Sequence, residues 1–342
     1  MSISTRILPG DDEASIHRAA DVLRAGGLVG MPTETVYGLA AHALDTAAVA
    51  KVFEAKGRPS FDPLIVHLAE TADAGLYAVS SDDATRLAEA FWPGPMTLVL
   101  PRRKDEKGLP IVPDLVTAGL DSVALRVPAH PVARTLLKRS GLPLAAPSAN
   151  RFGSISPTTA LHVRGELGER VDVILDGGPC ERGVESTVLR IASDRVEVLR
   201  LGALPIEAIE VQVDRPVAVM TPSSSPGLNG SDTALVSPGT TKRHYAPATP
   251  MRLVASADEI ATIAVPGRLG LLSIGPTQVD DARFTVKRCL SDSGDLAEAA
   301  SRLFATLREL DAMGLDGIVA LAAPEEGLGR AINDRLKRGS AR

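Results

Sequence analysis

Between Asp214 and Pro250 the sequence stops looking like a folded domain: Pro, Ser, Gly and Thr crowd Thr221–Gly227 and Ser237–Thr241, leaving too little apolar surface to order such a stretch alone. It reads as a linker, and it constrains the fold more than any other feature. The chain has 342 residues, beyond the roughly 250–300 at which one core stops growing. Two domains follow, at 1–212 and 251–342, with a linker or lid at 213–250. Aromatic residues make up only 3%, so both cores must be built from Ala, Val, Leu and Ile.

The first part alternates helical and extended patterns. Ile16, Ala19, Ala20 and Leu23 share one face of a helix over 14–25 that stops at Gly26-Gly27, and a strand runs over 28–31. Thr46 is the expected N-cap of a helix that delivers Lys56 and Arg58 at its end, with Pro59 closing it. Strands are expected at 64–68, 97–100, 123–127, 171–175, 187–191 and 196–199, and helices at 82–91, 131–139 and 159–167. This pattern implies an α+β domain with a mixed, twisted sheet. Beyond Met251 strands (252–254, 269–273, 284–288, 317–321) alternate with helices (258–264, 295–313, 328–337), as in a small α/β domain with a mainly parallel sheet. On the long helix, Leu296, Ala300, Leu303, Leu307 and Leu310 form one apolar stripe.

A net charge of −5 carries no global footprint for nucleic acid. Cys180 and Cys289 form neither a disulfide framework nor a metal pair, and no apolar run nears the roughly 18 residues of a membrane span, so a cytoplasmic protein is expected. The phosphate loop, the Gly-x-Gly-x-x-Gly turn and the Gly-x-Ser-x-Gly elbow are all missing. The six histidines show no metal-ligand spacing, and His17, His42 and His162 are expected on solvated helix or loop surfaces. No protein metal ligand is assigned.

Two short runs remain. Lys56-Gly57-Arg58 offers a compact charge and a planar fork suited to oligophosphate, against the plainer reading of cations at a helix C-terminus. Ser148-Ala149-Asn150 sets two polar side chains at the mouth of an apolar strand, among alanines that leave room for a ligand; turn chemistry is its plainer reading. Together they read as two halves of one phosphate site. Arg126 alternates with apolar residues on its strand, so it either points into a cleft or guards a sheet edge.

In order along the chain stand Pro-Thr-Glu-Thr-Val-Tyr-Gly-Leu at 32–39, Lys-Gly-Arg-Pro at 56–59, Pro-Leu-Ile-Val-His at 63–67, Trp-Pro-Gly-Pro-Met-Thr at 92–97, Ala-Pro-Ser-Ala-Asn at 146–150 and Gly-Val-Glu-Ser-Thr at 183–187. With His-Tyr-Ala-Pro at 244–247, this series resembles the Sua5/YrdC/YciO family, specifically its two-domain Sua5 type. The resemblance implies a YrdC-type sheet with helices around a large cavity, followed by a Rossmann-like domain. It implies a nucleotidyltransferase reaction in which L-threonine, bicarbonate or CO₂ and ATP give threonylcarbamoyl-AMP and pyrophosphate, for the modification of adenosine 37 of tRNA.

By position, the resemblance assigns Thr33, His67, Arg126, Ala146 and Ser186 to threonine, and Lys56, Ser60, Ser122, Ser148, Ser156, Arg200, His244 and Tyr245 to ATP. Arg58 and Asn150 complete the catalytic Lys-x-Arg and Ser-x-Asn set with Lys56 and Ser148. Mg²⁺ is expected to ride on the ATP phosphates. The product would pass to a tRNA threonylcarbamoyl transferase complex, with at most a weak RNA contact. The family often has Asn where this chain has Asp62, a negative charge near the phosphates. The segment 237–250 is expected to act as a lid over the site. The alternatives are an RNA-binding module without adenylation, which the acidic charge opposes, and carbamoyl transfer from carbamoyl phosphate, whose family carries segments absent from this chain.

Overall fold

A computed structural model describes residues 6–220, 244–263 and 267–341. It divides into two compact units: Met1–Phe152, Pro157–Cys180 and Glu185–Thr240 in the first, Gly153–Ser156, Glu181–Val184 and Thr241–Arg342 in the second.

The strands of the first unit are β1 (Arg6–Pro9), β2 (Val29–Met31), β3 (Gly38–His42), β4 (Ile65–His67), β5 (Met96–Pro101), β6 (Ser122–Arg126), β7 (Leu144–Ala145), β8 (Val173–Asp176), β9 (Thr187–Ile191), β10 (Val196–Arg200) and β11 (Val217–Val219). They form one mixed sheet in the order β1-β8-β2-β3-β7-β4-β6-β5-β9-β10-β11. Strand β11 lies inside the stretch expected to be linker, pairing parallel to β10. Residues 221–243 of that stretch, including half of the expected lid at 237–250, fall outside the described residues.

Helices α1 (Glu13–Arg24), α2 (Thr46–Lys56), α3 (Asp82–Phe91), α4 (Pro131–Ser140) and α5 (Ala160–Leu167) cover the sheet. Helix α1 starts where the Asp12 carboxylate accepts the Ser15 N–H at 2.9 Å, and it buries Ile16, Ala19, Ala20 and Leu23. Helix α2 corrects two expectations. Its cap is Asp45, which accepts the N–H groups of Ala47 and Ala48 at 2.9 and 3.2 Å, rather than Thr46. Its end is set by Gly57 at φ 61°, before Pro59 is reached: the Arg58 N–H turns back to Phe53 O at 3.0 Å, closing the helix with Lys56 as its last residue.

Strand alternation divides the sheet into two unlike faces. On one, Val66, Leu98, Leu100, Val123, Leu125, Leu189 and Val198 join the main core with residues of α2, α3 and α5. On the other, α1 and α4 cover Val29, Met31, Ala40 and Leu144, and beyond them Ile65, Val99, Ala124 and Val188 make only a small apolar patch. His67, Thr97 and Arg126 fall on this second face, two residues from members of that patch.

The second unit has a wholly parallel sheet in the order β12-β15-β13-β14, with β12 (Met251–Val254), β13 (Leu269–Ser273), β14 (Phe284–Cys289) and β15 (Gly317–Leu321). Helix α6 (Leu296–Asp311) buries Ala300, Leu303, Leu307 and Leu310 of the expected stripe, and helix α7 is Gly329–Gly339. The helix expected over 258–264 is a 3₁₀ turn at Ala257–Thr262, and Ala264 lies outside the described residues. Among the described residues no helix is long and apolar enough to cross a membrane.

Candidate active site

The site begins with Arg126, buried at 4% exposure on β6, which lies between β4 and β5. A strand so placed has no free edge, so the edge-guard reading of Arg126 is excluded. Its Nε donates to Gly94 O at 3.2 Å and its Nη2 to Glu34 Oε1 at 2.7 Å. His67 is its register partner on β4. Burial, then the charge of Arg126, pulls the His67 pKa down to about 3, so the ring is neutral throughout the physiological range.

Thr33 sits in the loop joining β2 to β3. Its hydroxyl donates to Val36 O at 2.6 Å and accepts the Thr35 and Val36 N–H groups, both at 3.2 Å, which fixes the loop internally and presents Glu34 beside Arg126. Ala146 follows β7, its N–H bound to Ile65 O at 3.0 Å. Gly38 lies opposite it, where a Cβ would come to 3.2 Å from that of Ala146, a tight contact.

A second cluster flanks the first. The register of β5 on β6, Leu98 opposite Leu125, brings Thr97 level with Arg126. The Thr97 and Ser186 hydroxyls are 2.8 Å apart. A register shift in β10 between Val198 and Arg200 turns Arg200 onto the Val188 face, and its Nη2 donates to Ser186 O at 2.8 Å and Oγ at 3.1 Å.

Lys56-Gly57-Arg58 and Ser148-Ala149-Asn150 do meet, though through the backbone. Lys56 Nζ donates to Asn150 O at 2.6 Å and to Ser148 O, and the Phe152 N–H donates to Lys56 O at 2.9 Å. Burial, reinforced by Arg58, draws the Lys56 ammonium well below its ordinary pKa, with Asp62 and Glu166 opposing. Arg58 is not open to solvent: its Nη2 lies 2.8 Å from Asp62 Oδ1, and the guanidinium also donates to the carbonyls of Asp62 and Pro63. Asp62, the departure noted from the sequence, is thus the counter-ion of Arg58. The Asn150 side chain donates to Arg151 O at 2.8 Å, while the Ala149 N–H binds Tyr37 O at 2.8 Å, tying this turn to the Thr33 loop.

The remaining assigned residues are more dispersed. Ser60 is exposed beyond Arg58, and Ser122 is half-buried at the opening of β6, the end away from Arg126. Ser156, His244 and Tyr245 belong to the second unit. There Tyr245, at φ 60°, stacks on Phe304 with ring centroids 5.6 Å apart, and the buried guanidinium of Arg335 lies 4.8 Å over its ring. His42, expected on a solvated surface, is half-buried in β3. Sequence reasoning gave no role to Glu34 or Thr97, although both stand inside the quoted runs; a charged residue within an otherwise apolar and hydroxyl-bearing loop was the available signal for Glu34.

The sequence profile of the Sua5/YciO/YrdC family, described as Telomere recombination, matches residues 21–202, and that of the threonylcarbamoyl-AMP synthase C-terminal domain matches 204–341. The chain belongs to the Sua5/YciO/YrdC family. Within it, the threonylcarbamoyl-AMP synthase of Pyrococcus abyssi is 39% identical over 99% of this chain and 98% of its own, and that of Bacillus subtilis 40% identical over 96% and 94%. The crystal structure of P. abyssi Sua5 complexed with L-threonine superposes with a TM-score of 0.85 at 38% identity, covering 96% of this chain and 95% of that one. The family's mixed sheet and the separate parallel sheet are the fold expected from the sequence.

Proposed function

We propose that the chain is a threonylcarbamoyl-AMP synthase. The observation that carries this reading is Arg126: a cation buried mid-sheet beside a neutral His67, outside the apolar cluster that helices α1 and α4 build on the same sheet face. An arginine fork there suits an amino-acid carboxylate. Thr33, His67, Arg126, Ala146 and Ser186 form the threonine pocket of the proposal. Lys56 and Arg58, with Ser148 and Asn150, face the ATP phosphates, and Ser60, Ser122, Ser156, Arg200, His244 and Tyr245 are the further ATP contacts of the same proposal.

The threonine amine, deprotonated, adds to CO₂ with release of a proton, or to bicarbonate with loss of water, giving a carbamate. A carbamate oxygen then bonds to the α-phosphorus of ATP as the bond to pyrophosphate breaks. Such a displacement needs positioning and charge neutralisation more than a covalent nucleophile, which agrees with a site rich in cations. Mg²⁺ carried on the ATP phosphates, with water completing its coordination, would neutralise charge there. The product passes to a tRNA threonylcarbamoyl transferase; a weak RNA contact belongs to the same proposal. Residues 1–212 form its catalytic domain, 213–250 its linker or lid, and 251–342 its Sua5-type α/β domain.

The division of roles is tested kinetically. Lys56→Ala lowers kcat strongly, whereas Arg126→Ala chiefly raises the KM for threonine. Indistinguishable profiles for the two variants contradict the assignment.

A further inference from the structure

Glu34 is buried at 4% exposure, yet only half of its carboxylate is accounted for. Oε1 accepts from Arg126 Nη2, while Oε2 is sealed from solvent with no hydrogen-bond partner among the described residues. One strand over, His67 Nδ1 is in the same condition. A buried polar atom left without a partner costs on the order of 1–3 kcal/mol. Two such atoms around one arginine make an arrangement that a ligand completes. Arg126 uses Nε and Nη2 on Gly94 and Glu34, and its Nη1 has no partner among the described residues.

The charges also sum to zero, with Arg126 positive, Glu34 negative and His67 neutral. A neutral site holding one fixed cation and one fixed anion is complementary to a zwitterion. It disfavours a carboxylic acid that lacks the amine, because the buried carboxylate of Glu34 then stays unsatisfied. The terminal torsion of a glutamate is soft and two-fold, so an oxygen can turn toward a ligand at little cost.

We propose that Glu34 recognises the ammonium group of L-threonine: the substrate carboxylate docks on Arg126, and the ammonium donates to the second carboxylate oxygen of Glu34. The inference rests on the threonine reading of the pocket given above. Glu34 is then a specificity residue, selecting the amine that the reaction consumes.

Calorimetric titration of the full chain compares L-threonine with 3-hydroxybutanoate, its des-amino analogue. A charge-assisted hydrogen bond is worth roughly tenfold to a hundredfold in affinity, so the wild type should prefer threonine by at least about tenfold. Glu34→Gln keeps an acceptor for Arg126 but loses the charge, and should shrink that preference to about threefold or less. Equal binding of the two ligands by the wild type overturns the proposal without recourse to any variant, as does a Glu34→Gln protein that retains the full preference. If Glu34→Gln does not fold, Glu34→Asp keeps the charge but draws it back by one methylene; it should weaken threonine and spare the analogue, and an unchanged ratio overturns the proposal. A wild type that binds no threonine at all refutes the pocket assignment itself, a different and recognisable failure.

Discussion

Replacing Asp62 with Asn removes the carboxylate held 2.8 Å from Arg58, in a pair whose side chains are 3% and 0% exposed. At an effective dielectric near 20, the gross attraction at that distance is about 6 kcal/mol. Against it stands the cost of keeping the Asp62 carboxylate dry, several kcal/mol, which the substitution relieves. The guanidinium also keeps its bonds to the carbonyls at positions 62 and 63. The net loss in the absence of ligand should therefore be about 3 kcal/mol, the low end of the range for breaking a buried pair. ATP should reverse the sign of the effect on binding. Its phosphates replace the lost counter-charge and no longer compete with Asp62, so the variant should bind ATP more tightly than the wild type. Urea unfolding read by Trp92, the single tryptophan and a buried residue of the first unit, isolates the relevant unit, and calorimetry reads ATP affinity. An unchanged urea midpoint, or a weaker ATP complex, would refute the view of Arg58 as a phosphate cation held in check by Asp62.

Three further outcomes are expected. Because burial lowers the Lys56 pKa, ATP affinity should fall as pH rises through a value well below that of an ordinary lysine, and Lys56→Arg should abolish the dependence; a wild-type affinity that stays constant until the pH at which an ordinary lysine titrates contradicts it. His67 binds a proton near pH 6.5 when unfolded but only near 3 when folded, so its contribution is intact above about 6.5 and is lost as pH falls: about 2 kcal/mol between pH 6.5 and 5, read as the difference between wild type and His67→Gln in Trp92-monitored urea titrations. Arg335→Met keeps the volume beside Tyr245 but removes the cation over its ring, so overall stability should change by less than about 1.5 kcal/mol while amide exchange across residues 244–249 quickens at least about tenfold; unchanged exchange shows that Arg335 does not hold Tyr245 in its left-handed conformation.

Elements with strong periodicity were legible in the sequence: Thr187–Ile191, Leu269–Ser273, Gly317–Leu321 and the helix Asp82–Phe91 stand where the pattern put them. Strand β3 did not announce itself, since Gly38-Leu39-Ala40-Ala41-His42 has little intrinsic strand preference and owes its conformation to pairing with β2 and β7. Pro59 carries the stronger helix-ending signal in the sequence, yet Gly57, free to take a left-handed conformation, closes the helix first. The approach of Lys56 to the turn at 148–150 was anticipated, but its chemistry was not: the lysine meets backbone carbonyls, which carry no residue-specific signal. Likewise Glu34 and Arg126 are 92 residues apart, and nothing local to either reveals the other. Partners of buried charges are set by sheet order, which periodicity does not encode.

The central claim is that this chain joins carbamoylated threonine to AMP. Pyrophosphate release from ATP by the full-length protein, measured with and without L-threonine and bicarbonate, tests it most directly. Release that requires both together is the predicted result; release that needs neither, or no release under any combination, contradicts the account.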